Sequence, residues 1–202
     1  AVLMDQEVLF ENLFRTVYLY PMSLSLVVTG LSWQWLLNPT LGLQKILNDF
    51  GFHGFALDWI VSSQYSIYAV VLAAVWHGSG LIMILFLAGL RAVDEDIWKS
   101  INVEGVPAWK AYLWIILPQL RPILLAAILL LTFNVVRSFD LVVAMTSGGP
   151  GFSSDVPAKH IYDYFFSRSN IARGAAAAVC TVLTVLFIIS PYLYFELRKR
   201  ND

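Results

Sequence analysis

The chain has 202 residues, of which 58% are hydrophobic and 13% charged, with a net charge of −1. Soluble domains carry about a quarter charged residues, so the solvent this composition suits is lipid. The near-neutral balance excludes the basic field that nucleic-acid binding needs, and one cysteine, Cys180, excludes a disulfide framework or a cysteine-built metal cluster.

The opening "AVLMDQEVLF" starts apolar and turns polar. It lacks the basic n-region and small-residue cleavage site of a signal peptide. It reads as the tail of a preceding membrane helix, so the chain is expected to be the C-terminal part of a longer protein, without its N-terminal spans.

A helix needs about 20 apolar residues to cross about 30 Å of hydrocarbon. Four windows are expected to do so. Residues 16–37 carry no charge. Residues 65–90 have His77 as their one titratable group outside tyrosine. Residues 122–146 contain Arg137 and Asp140. Residues 174–195 are uncharged and begin with small residues. Pro21 and Pro191 lie inside windows, which membrane helices tolerate when neighbours satisfy the freed carbonyls. The connections hold "NPTLG" and "FALDWIV" (38–64), a charged stretch (91–121) and "SGGPGFSSD" at the start of 147–173.

Basic residues set orientation. One side collects Arg15, Arg91, Lys99, Lys110, Arg121, Arg198, Lys199 and Arg200; the other holds Lys45, Lys159, Arg168 and Arg173. The richer side, with the 91–121 connection and the C-terminus, is expected to be cytoplasmic.

Within that connection, Asp94, Glu95 and Asp96 suit a helix N-terminus. Ile97, Trp98 and Ile101 recur at helical spacing. Gly105 can end the helix by taking left-handed backbone angles, and Pro107 suits the first turn of the next. Trp109, Tyr112, Leu113 and Ile116 give the second helix an apolar face. Helix, glycine turn, helix is therefore expected. Two roles stay open from the residues alone: an amphipathic element on the lipid interface, or a docking helix for a soluble partner.

From Lys99 to Pro118 the spacing resembles the cytoplasmic signature of bacterial ABC importer permeases: Glu-Ala-Ala, three residues, Gly, nine residues, Ile, one residue, Leu-Pro. Here Lys99, Ser100 and Ile101 stand for Glu-Ala-Ala, Glu104 and Gly105 hold the turn, and "IILP" ends at Leu117 and Pro118. "SFDLVVAMTSGGPGFSS", "LAGLRAV" and "YLYPMSLSLVVTGLSWQWLLNPTLG" are similar to segments of carbohydrate permeases, in the same order. The resemblance covers about Phe14 to Arg200.

It implies an all-α polytopic transmembrane bundle of the type I ABC importer permease kind. One transmembrane domain is expected over 1–202, with four spans and a coupling helix in the 91–121 loop. The ATPase would be met by Ile97, Trp98, Lys99, Ser100, Ile101, Glu104, Gly105, Leu117 and Pro118, with Ile97, Trp98 and Ile101 as the docking face and Pro118 as a rigid joint to the next span. The lysine at position 99 reverses the family's charge and would suit an acidic or neutral partner surface. Implied partners are a second permease subunit, a cytoplasmic dimer of ATP-binding subunits, an external sugar-binding protein, the sugar and the lipid bilayer, in a bacterial inner membrane. The wording is closest to the branch handling glucose or related hexoses.

The resemblance places Trp76, His77, Gly78 and Leu81 on the substrate pathway, and likewise Leu131, Val135 and Ser138 with Asn134 adjacent. The second group shares a helical face by 3–4 spacing. A histidine or asparagine simply satisfied by a neighbouring helix remains the other reading of both. Arg137 and Asp140, at i, i+3, are expected to form an intramembrane ion pair, structural or gating.

No catalytic residues, metal site or cofactor are expected. There is no G-x-x-x-x-G-K-[ST] phosphate loop, and "SGGPGFSS" lacks the lysine and the preceding strand. ATP would be hydrolysed on a partner. An ion-driven carrier or channel is the competing reading, and a membrane enzyme lacks its chemistry.

Overall fold

The computed structural model describes residues 1–5, 10–52 and 58–201, with side chains to residue 190. Part of "AVLMDQEVLF", part of "FALDWIV" and the side chains of Arg198, Lys199 and Arg200 lie outside these. Every regular element among the described residues is helical: α1 (Val2–Asp5), α2 (Glu11–Ser23), α3 (Leu26–Leu36), α4 (Leu43–Asp49), α5 (Ser66–Arg91), α6 (Glu95–Val103), α7 (Ala108–Gln119), α8 (Arg121–Val136), α9 (Phe139–Met145), α10 (Pro157–Tyr162) and α11 (Ile171–Asn201).

Two of these helices are long and apolar enough to cross a membrane, Ser66–Arg91 and Ile171–Ser190. A third candidate is α7 with α8, bent by 73° where they join. The window 16–37 is divided instead. Its break falls at residues 24–25, where Ser25 caps α3 by accepting a hydrogen bond from the Val28 N–H at 3.2 Å. A serine that satisfies a free N–H starts a new helix rather than continuing the old one. The window 122–146 is also divided, between α8 and α9, around Arg137 and Ser138.

The fold clusters into two compact units: residues Ala1–Met22 with Gly78–Leu131, and Ser23–His77 with Thr132–Asp202. In the first, Leu90, Ile101, Ala111, Ile116 and Leu120 form a buried cluster, and Met4, Met83 and Leu87 form a second. Arg91, in the last turn of α5, donates to Glu11 Oε1 at 2.7 Å and so ties α5 to the start of α2. Gly80 permits a close approach of α5 to α2: a Cβ there would sit 2.2 Å from the Tyr18 carbonyl oxygen.

In the second unit, α3 packs on α9 with Leu37, Leu141, Val142 and Met145 buried, joined by Ala69, Val70 and Ala73 from α5. Small residues let apolar helices come close where lipid gives no hydrophobic drive to association. After α3, Asn38 Oδ1 accepts from Thr40 N, Thr40 Oγ1 and Leu41 N at 2.8–3.1 Å and turns the chain. At the other turn, Ser154 Oγ donates to the Gly149 carbonyl at 2.8 Å and lies 2.7 Å from Thr146 Oγ1. Ser66 and Ser153 hydroxyls meet at 2.7 Å. These hydroxyls bind "SGGPGFSS" to the end of α9 and the start of α5.

Gly80→Ala is expected to lower stability by about 1–3 kcal/mol, because α2 must move. Gly78→Ala, where a Cβ meets nothing within 4 Å, should leave it unchanged. Thermal unfolding of the two variants in detergent checks the contrast.

Candidate functional site

The charged connection folds as helix, glycine turn, helix. Asp94 caps α6 by accepting from the Asp96 N–H at 2.9 Å, and Glu95 and Asp96 occupy the first turn, where the helix dipole favours them. At the other end, Gly105 N–H reaches the Asn102 carbonyl at 3.3 Å and Val106 N–H reaches Ile101 at 3.2 Å. This pair of bonds is a Schellman motif, which requires a left-handed residue after the cap. Gly105 supplies it, with φ +64°. Pro107 is the N-cap of α7 (φ −61°, ψ 138°) rather than a residue of its first turn.

Ile97, Trp98 and Ile101 do not form the outer surface of α6. Ile101 is 5% exposed within the buried cluster, Ile97 and Trp98 pack against it, and Trp98 meets Tyr112 edge-on at 5.4 Å. Apolar spacing marks which face of a helix is buried, but not against whom; here α7 supplies the cover. The outward face consists of Lys99, Ser100, Asn102, Glu104, Gly105 and Val103, the last 88% exposed. Val103 escapes sequence reasoning because it is a lone apolar residue on a polar face.

Lys99 is neutralised by its own helix. Its Nζ lies 2.9 Å from Asp96 Oδ1 and 3.9 Å from Glu95 Oε2. Ser100 Oγ likewise turns back, donating to the Asp96 carbonyl at 2.8 Å.

Leu117 and Pro118 are exposed near the end of α7. The bend comes two residues beyond Pro118, at Leu120, which is 4% exposed. Pro118 acts upstream instead. Residues Ala111–Ile116 take a π-type ladder, and a proline at 118 removes the donor that the Trp114 carbonyl would use in an α-helix.

The first group expected on the substrate pathway lies on α5. His77 Nδ1 shares a hydrogen bond with Thr29 Oγ1 at 3.2 Å, and Thr29 is fully buried on α3. Trp76 meets Trp33 edge-on, with centroids 5.9 Å apart. Consecutive helical residues point about 100° apart, so Trp76 does not share the face of His77 and Leu81. Gly78 opens onto free space. Sequence spacing could not point to Thr29 or Trp33, since it says nothing about which helix comes alongside.

The second group divides. Leu131, Asn134 and Val135 are exposed residues of α8. Val135 also lines a groove of about 340 Å³ shared with α11. Ser138 lies past the end of α8, as N-cap of α9, and its Oγ donates to the Val135 carbonyl at 2.6 Å. It is not on the Leu131 face, because the helix stops before it.

The expected ion pair between Arg137 and Asp140 is absent among the described residues. The same helix break removes the i, i+3 geometry it needs. Each charge instead suits its own helix end: Arg137 follows the C-terminus of α8 and Asp140 is in the first turn of α9.

These features define an integral membrane protein that presents a capped, charged helix outside its apolar spans. Residues 1–201 match the binding-protein-dependent transport system inner membrane component family, and the chain belongs to it. A probable ABC transporter permease protein of Pyrococcus horikoshii is 36% identical over 97% of this chain and 68% of its own length. The xylose/arabinose import permease protein of Haloferax volcanii is 33% identical, covering 98% of this chain and 63% of itself. The glucose import system permease protein of Saccharolobus solfataricus is 29% identical over 94% and 65%. The chain thus spans about two thirds of the length of these relatives. A chain of a bacterial ABC transporter that imports the acidic polysaccharide alginate has the same fold, with TM-score 0.80 and 19% identity, covering 97% of this chain and 70% of that one.

Gly105→Val is expected to cost about 1–2 kcal/mol, the penalty of a left-handed backbone, whereas Gly105→Asn, which tolerates that region, should cost less. Lys99→Gln should change stability by about 0.5 kcal/mol or less, as exposed ion pairs contribute little. Melting curves of the three variants in detergent test both statements.

Proposed function

We propose that the chain is the permease subunit of an ATP-driven, binding-protein-dependent sugar importer, docking a cytoplasmic ATPase dimer through α6. The observation that carries this reading is the Gly105 turn, which holds a capped nine-residue helix outward on a buried cluster. Family membership and relatives named for xylose/arabinose and glucose import support a small sugar, glucose or a related one, as cargo. A second permease and an external sugar-binding protein complete the assembly, with the C-terminus on the ATPase side.

In this reading Lys99, Ser100, Asn102, Val103, Glu104 and Gly105 face the ATPase. Ile97, Trp98 and Ile101 position them from behind, and Leu117 and Pro118 carry displacement of α6 toward α8. Residues assigned to the sugar path are His77, Gly78 and Leu81 on α5 and, on α8, Leu131 and Asn134. Gly78 leaves space for cargo, and His77 is oriented by Thr29. Trp76 and Ser138 support this path, and Val135 stands at its border. An ion-driven carrier would call for carboxylates in its spans, and the four apolar windows hold Asp140 alone.

Reconstitution with the ATPase, the second permease and the sugar-loaded binding protein tests the assignment. Gly105→Pro should reduce uptake and binding-protein-stimulated ATP hydrolysis to background while the chain still inserts in the membrane. Stimulated hydrolysis at the wild-type rate would sink the coupling role. Uptake persisting without the ATPase subunit would favour the ion-driven carrier. Val103→Asp is expected to weaken ATPase attachment about tenfold, the order of effect when a charge replaces one desolvated apolar group at an interface, measured by co-purification.

A further inference from the structure

At the N-terminal end of α11 lies a cleft of about 560 Å³ that none of the transport roles above uses. Arg168 lies there over two aromatic rings. Its guanidinium carbon is 5.3 Å from the Phe152 ring centre and 4.9 Å from that of Tyr164. Cation–π contact uses none of the guanidinium N–H groups as conventional hydrogen-bond donors and leaves them available for an anion. Among the described residues, no carboxylate lies within ion-pair distance of it.

Beside it, His160 packs edge-on against Tyr164 with ring centres 4.8 Å apart, and its Nδ1 is 3.3 Å from Asp155 Oδ2. Asp155 is about nine-tenths buried. Its other oxygen, Oδ1, is 3.8 Å from Lys159 Nζ and accepts no hydrogen bond. The cleft therefore offers a cation with free donors, while Asp155 Oδ1 is turned away beside Lys159.

The cleft continues into the apolar groove between α8 and α11: Pro157, Cys180 and Thr181 line both. Threonines 181 and 184 donate their hydroxyls to the carbonyls of Ala177 and Cys180, each at 2.8 Å. They present methyl groups to the groove, which Val136, Val185 and Ile188 extend. Cys180 lies about 14 Å along the helix axis from Ile171 and Ile188 about 25 Å, so the groove runs from the interface deep into hydrocarbon. Tyr162, Tyr164, Phe165 and Phe166 cluster at its polar end, where aromatic side chains favour the membrane–water boundary.

A cation at the mouth and a long apolar channel behind it match one amphiphile. We propose that this cleft and groove bind an anionic phospholipid, its phosphate on Arg168 and an acyl chain along α11. The polyol cargo of the importer fits the groove poorly, because the hydroxyls of Thr181 and Thr184 are already spent. The inference rests on the membrane setting of the chain and not on its transport role.

Cys180 reports on occupancy. In the detergent-solubilised complex, its alkylation by N-ethylmaleimide is followed by mass spectrometry of the Cys180 peptide. Phosphatidylglycerol should slow the reaction about tenfold, the order of one charge-assisted contact; phosphatidylcholine or glycerol phosphate should slow it less than about twofold. Arg168→Gln, which removes the cation, and Thr184→Trp, which fills the groove while keeping it, should each abolish the preference. Equal protection by both phospholipids would mean annular lipid only, and protection by glycerol phosphate would mean an anion site without a chain. A Cys180 unreactive in the complex under every condition, yet reactive in the isolated subunit, would mean a protein cover. Any of these three results overturns the proposal.

Discussion

Burial of Ile101 is the interaction on which the charged connection of the first unit depends. It lies between the last turn of α6 and Ala111, Ile116 and Leu120 of the following helices. The Schellman bonds around Gly105 bring Val106 back to the same cluster. Without that contact α6 would be a nine-residue amphipathic segment, too short to hold its shape in water. With it, the segment becomes a rigid projection whose polar face is fixed by the apolar face behind it.

Charge on that projection follows a local rule. The acids at 94–96 sit at the N-terminus of α6, where unpaired N–H groups welcome them, and Lys99 closes back on two of them. The reversed charge at position 99 is thus answered inside the helix. What the outside meets is a largely polar surface around a single exposed valine.

The elements of this fold that were legible in the sequence are those written in local signals. Asp94, Gly105 and the 3.6-residue period of α6 gave its start, stop and buried face. The long uncharged runs of α5 and α11 gave the spans. The breaks at residues 24–25 and at Arg137–Ser138 were not legible, because an uncharged Ser-Leu-Ser or a lone Arg-Ser pair is tolerated inside a membrane helix. Tertiary placement decided these. The same holds for the candidate path: Thr29 behind His77 and Trp33 against Trp76 depend on which helix lies alongside. So does the inward turn of Ile97 and Trp98, where periodicity showed a buried face and left the covering partner open.

The 73° bend between α7 and α8 has a mechanical meaning. Leu120 is buried at the corner while both arms are continuous helices, and stiff rods joined at a fixed corner behave as a bell crank. At about 1.5 Å per residue, α8 is an arm of about 24 Å, so a swing of about 10° carries its far end about 4 Å. The corner exchanges force for travel, turning a small rotation at α7 into a larger displacement at the far end of α8.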